Sequence, residues 1–168
     1  MSEPKIVASA KEMKKAQPVD ASQVWAALGW IGITFLVVGG ADFALTWYPP
    51  NFASREWEFG TVTASFNGLP ILVLGMGLLL AASVQIERRW WSALTALVSL
   101  VMLLWLIAGA VLWATNVPLA LSSVPLELAQ GVKKSIVKTA IQSAVYPVIL
   151  ILLLRRSIRA ARGDVAAR

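Results

Sequence analysis

The stretch VWAALGWIGITFLVVGGADFALTWY, residues 24–48, decides the fold. It is an apolar run with Trp25 at one end and Trp47 and Tyr48 at the other. Rings with an apolar body and a polar tip favour the two faces of a bilayer. At about 1.5 Å per residue a helix over this run reaches roughly 37 Å, enough to cross with some tilt. Pro49 and Pro50 follow, and proline ends a helix because it lacks the N–H and disfavours helix in the residue before it. One residue breaks the apolar pattern, Asp42.

Three further runs have the same character: residues 69–86, 90–115 and 135–155. The fold class is therefore all-α, a polytopic membrane protein with four transmembrane helices in a single domain. Two long connections are expected, residues 49–68 and 116–134, with a tight turn over 87–89. Asn67 is placed to cap the second helix, with Pro70 in its first turn. Ser123 is placed to cap a short helix at the second connection. Thr61, Thr63 and Ser65 alternate with apolar residues, which suits a short extended segment. Gly77 and Ala81 form a small-xxx-small pair that would admit a neighbouring helix. Pro147 should kink the fourth span.

The composition agrees. Of 168 residues, 58% are hydrophobic and only 14% charged, with a mean hydropathy of +0.70. That places the chain in the membrane class. The charge distribution sets the orientation. Eleven lysines and arginines fall in residues 1–23, the 87–89 turn and the tail from Arg155; four, namely Arg55, Lys133, Lys134 and Lys138, fall on the other side. The positive-inside rule then places both termini in the cytoplasm and both long connections outside. The expected location is a bacterial cytoplasmic (inner) membrane. The polar segment 1–23 reads as a cytoplasmic tail, with Ile6, Ala10 and Met13 spaced for a surface-lying amphipathic helix. Asp20 or Ser22 could cap the first span. The net charge of +6 is explained by helix ends and anionic headgroups, not by nucleic acid.

The chain has no cysteine and no histidine. Thiolate nucleophiles, zinc–thiolate sites and iron–sulfur clusters are excluded, and so is any cofactor held through imidazole. Lipid or pigment contact through oxygen ligands stays open. No catalytic set emerges, so the chain is not expected to be an enzyme.

What remains is a short set of candidates. An ionisable group inside a span is costly, about 2.5–3.5 kcal/mol at the helix centre. Counting rise from Trp25 and from Arg155 places Asp42 and Lys138 at one level, in the outer third. The favoured reading is a lock in which Asp42 meets Lys138 between the first and fourth spans, with Gln142 and Tyr146 as further partners. The alternative is an ion or proton site. Gly39 and Gly40 suit close helix packing rather than an unwound ion site. Trp105 should pack against a neighbouring helix or face lipid. Glu56, Trp57, Glu58 and Phe59 mix charge with aromatic surface and suit recognition of a partner. Arg155, Arg156 and Arg159 suit a lipid-facing anchor.

The function this supports is a non-catalytic accessory or structural subunit of a larger membrane complex, energy-converting (photosynthetic or respiratory, for example) or transporting. Its partners would be membrane lipid and other membrane subunits. The alternative is a small oligomeric transporter or channel subunit that uses Asp42.

Overall fold

Asp20 starts the first helix. Its Oδ1 accepts the Ser22 N–H at 3.0 Å and its Oδ2 accepts the Ser22 hydroxyl at 2.8 Å. This satisfies one of the donors a helix start leaves open. The computed structural model describes residues 20–163 and is all-helical. Its helices are α1 (Ala21–Thr46), α2 (Arg55–Gln85), α3 (Arg89–Ser123) and α4 (Leu126–Arg162). All four are long and apolar enough to cross a membrane. The amphipathic helix expected within residues 1–19 and the end of the basic tail lie outside the described residues.

The helices run further than the apolar runs do. The connection expected at 49–68 is mostly helix. Ser54 caps α2, accepting the Trp57 N–H at 3.2 Å, and Glu56 and Glu58 lie in the first turn, where carboxylates oppose the positive end of the helix dipole. Asn67 therefore caps nothing, and Pro70 lies inside the helix. Thr61, Thr63 and Ser65 are helical and buried, not extended. The Ser65 hydroxyl donates to the Thr61 carbonyl at 2.8 Å, as a helical serine does. The second long connection shrinks to Val124 and Pro125, because α3 continues to Ser123 through Pro118. Pro125, not Ser123, precedes the first residue of α4. At the other end of α4, Gly163 takes a left-handed φ of 85° and closes the helix behind Arg159 and Arg162, cations well placed at a negative helix end.

We call the end of the bundle where α1 starts and α4 stops proximal, and the other end distal. Helices adjacent in sequence pack together, and α2 also touches α4. The core lies among α2, α3 and α4: Val62, Phe66, Leu69, Leu72 and Met76 meet Met102, Leu106, Trp113 and Leu150. α1 approaches the backbone of α2 alone. The closest approach pairs two glycines. A Cβ on Gly32 would lie 2.8 Å from the Gly75 carbonyl oxygen, and a Cβ on Gly75 would lie 2.9 Å from that of Gly32. Gly77, by contrast, faces open space, so the expected Gly77/Ala81 surface is not where a helix approaches closely. Among the described residues, α1 meets α3 through large rings, and the Trp91 ring also packs directly against Gly29. Trp30 meets Trp91 edge-on at 6.2 Å, and Phe43 meets Trp105 edge-on at 4.7 Å.

Candidate functional site

Asp42 sits four residues before the last residue of α1, on the exposed surface of the bundle. Its carboxylate lies against Gly68 of α2, with Oδ2 3.2 Å from where a Cβ on that glycine would stand. No side chain of the described residues donates a hydrogen bond to it. The Thr46 hydroxyl bonds to its backbone carbonyl instead, at 2.9 Å. Gly39 packs on Leu72 of α2, which makes it a packing glycine, whereas Gly40 meets nothing.

Lys138 is also exposed, on α4. The expected Asp42–Lys138 lock does not form within the chain. α1 and α4 do not approach each other, because α2 lies beside both. The levels differ too. Asp42 stands opposite Gly68, and Glu58 of α2 stands opposite Asn116 of α3. Counting rise from these pairs and from the α3–α4 turn puts Lys138 about 7 Å nearer the distal end than Asp42. Counting from Trp25 and Arg155 gave the two residues one level because α4 continues to Arg162, seven residues past its reference point, while α1 begins at Ala21, only four before its own. Gln142 is half-buried, and its buried Oε1 has no partner; Tyr146 packs at the margin of the core.

The acidic pair divides. Two apart on a helix, Glu56 and Glu58 diverge. Glu58 turns inward and accepts a 3.0 Å hydrogen bond from Asn116 Nδ2, whose side chain is buried. Glu56 lies on the rim of a distal cleft of about 320 Å³, together with Arg55 and Phe59. Trp57 joins an aromatic collar instead, edge-on to Trp47 at 5.8 Å and to Phe52 at 5.4 Å. Trp47 is fixed further by its Nε1, which donates to Ser65 at 2.9 Å. Trp105 packs on Phe43, Trp47 and Phe66 from neighbouring helices, as expected.

At the proximal end Arg155, Arg156 and Arg159 are exposed. Arg89 also reaches the end of α4, with its guanidinium 3.2 Å from where a Cβ on Gly163 would stand. The Asp20 carboxyl is held below the ordinary carboxylate range, first by the Ser22 N–H and then by the Ser22 hydroxyl. Among the described residues, no three acidic side chains gather as a metal-holding group.

No protein-family model, curated protein or solved structure matches the chain. The site must therefore be read from its own chemistry.

The sequence reading missed the buried roles of Asn116, Thr63 and Thr139, whereas it did name Gln142. Asn116 was assigned to a connection, although one amide three residues after Trp113 could have signalled a continuing helix with a polar contact. Thr63, Trp113, Thr139 and Gln142 each carry a buried side-chain polar atom without a partner. Counting from the helix ends, all four belong to the distal half of the α2–α3–α4 core. Nothing in their sequence spacing sets them apart, since they come from three helices.

Proposed function

We propose that the chain is a membrane-inserted, non-catalytic subunit of a larger assembly and that Asp42 marks the surface where another polypeptide docks. The observation that carries this reading is the outward placement of Asp42. Four helices of spanning length support insertion, and the aromatic collar at Trp47 and Trp57 fits the distal bilayer interface. Asp42 then lies about 7 Å inside that interface, five residues before Trp47. Side chains on a helix lean toward its N-terminus. The short Asp42 side chain leans away from the distal interface, deeper into the hydrocarbon, and cannot snorkel. Lys138 leans the other way, because α4 starts at the distal end, and its long stem reaches the headgroups. Lipid therefore solves the problem of Lys138 and not that of Asp42. A donor from a second polypeptide solves it.

The orientation we propose has both termini in the cytoplasm, in a bacterial cytoplasmic membrane. The turn carrying Arg88 and Arg89 and the end of α4 lie together at the proximal end, which supports counting their arginines on one side. The alternative, a small transporter subunit, would have to place its path between protomers. Within one chain, Phe66, Leu69, Met76 and Leu106 fill the space between the helices.

The test is a photo-crosslinker placed at Leu45, one turn from Asp42 on the exposed face, in cells that make the full chain. The reading expects a discrete adduct with another membrane polypeptide, and a weaker one when Asp42→Asn is added. Labelling of lipid alone would overturn it.

A further inference from the structure

The distal cleft is a feature that the assembly reading leaves unused. It lies where the start of α2, the end of α3 and the start of α4 converge, and its volume is about 320 Å³. That is near the lower bound of roughly 300–1,000 Å³ seen for small-molecule sites. Phe59, Leu119, Leu128 and Val132 give it apolar walls, and Leu119 and Leu128 are exposed, so the cleft opens onto the apolar flank of the bundle. The charges that line it are Arg55 and Glu56. Neighbours on a helix point about 100° apart and do not face each other, so these two do not neutralise one another. Glu58, the next acid, is already engaged with Asn116, which lines the cleft and fixes its inner wall.

A ligand that fits must offer an anion to Arg55, a hydrogen-bonding cation to Glu56 and an apolar tail to the walls. We propose that the cleft binds a glycerophospholipid whose headgroup carries both a phosphate and a primary ammonium. The guanidinium fork matches phosphate oxygens. Glu56 selects the headgroup. A primary ammonium brings N–H donors to the carboxylate, a quaternary ammonium brings none, and an anionic headgroup without an amine is repelled. The proposal rests on membrane insertion but not on the docking role of Asp42.

Native mass spectrometry of the full chain in mild detergent tests it, with phosphatidylethanolamine, phosphatidylcholine and phosphatidylglycerol of identical acyl chains added separately. The first phosphatidylethanolamine adduct should form at roughly five- to tenfold lower concentration than either of the others, the net scale of one solvent-exposed hydrogen bond, since Glu56 is exposed. Glu56→Gln should erase the preference over phosphatidylcholine. Arg55→Gln should weaken all three, with helicity by circular dichroism unchanged in both variants. Equal binding of the three lipids, a preference for phosphatidylglycerol, or a preference that survives Glu56→Gln would overturn the proposal. So would a second polypeptide captured by a crosslinker at Leu128, which would assign the cleft to a protein. Asp42→Asn should leave the lipid preference intact, which separates failure of this site from failure of the docking reading.

Discussion

Replacing Gly32 by alanine tests how α1 is held. The new Cβ would lie 2.8 Å from the Gly75 carbonyl oxygen and 2.9 Å from the Leu79 nitrogen. Both are backbone atoms of α2 and cannot rotate away. Carbon–oxygen contacts between helices ordinarily rest at about 3.3–3.6 Å, so the axes must part by roughly 0.5–0.8 Å. A gap of that size forfeits about a quarter to a half of the dispersion energy of each contact it opens. Overpacking of this kind costs about 1–3 kcal/mol. Alanine recovers up to about 1 kcal/mol over glycine through helix propensity. The net expectation is a loss of about 1–2 kcal/mol, or roughly a 5- to 30-fold shift in the folded ratio. Because α1 has no other backbone neighbour among the described residues, the loss should appear as undocking of α1, with the Trp30–Trp91 contact broken first. The control is Gly40→Ala, which meets nothing. Equilibrium unfolding in mixed micelles, read by tryptophan fluorescence and circular dichroism, measures both. If Gly32→Ala is as stable as Gly40→Ala, the glycine crossing does not hold α1, and the packing described for it is wrong.

Other expectations follow from single contacts. Asn116→Ala removes the donor that Glu58 faces and should cost about 1–2 kcal/mol in the same unfolding assay, since hydrogen bonds to charged groups are worth about 1.5–3 kcal/mol and Glu58 is only half-buried. Trp47→Phe keeps an aromatic ring for the edge-on contacts but loses the bond to Ser65, for about 1 kcal/mol. The Asp20 cap should depend on pH. Its carboxyl is lowered in the folded chain, so its contribution is complete above the unfolded value of about 3.9 and is lost as pH falls through the lower folded value. Protection of the Ser22 amide, taken relative to the unprotected exchange rate at the same pH, should therefore fall in acid, and in Asp20→Asn it should no longer follow that titration.

The number of helices was legible in the sequence because an apolar run of spanning length, bounded by aromatic and charged residues, has few other uses. The helix ends were less legible. Phe59 to Asn67 and Asn116 to Lys134 are polar enough to read as connections, yet a cap at Ser54 and buried packing of Thr61, Thr63 and Ser65 carry the helix through the first of them. Asp42 and Lys138 both lie within long helices and are both exposed. Their pairing failed because rise along a helix says how deep a residue lies, not which helices are neighbours. Adjacency is decided by small surfaces such as those of Gly32 and Gly75.

The docking role of Asp42 is tested most directly by the mass of the particle it belongs to. The full chain, extracted from its own membrane in mild detergent, should appear by native mass spectrometry as an assembly with at least one further polypeptide. Asp42→Asn should shift that population toward the free chain while α1 stays docked, judged by Trp30–Trp91 fluorescence. A lone chain in both samples, or an assembly indifferent to Asp42→Asn, would overturn it.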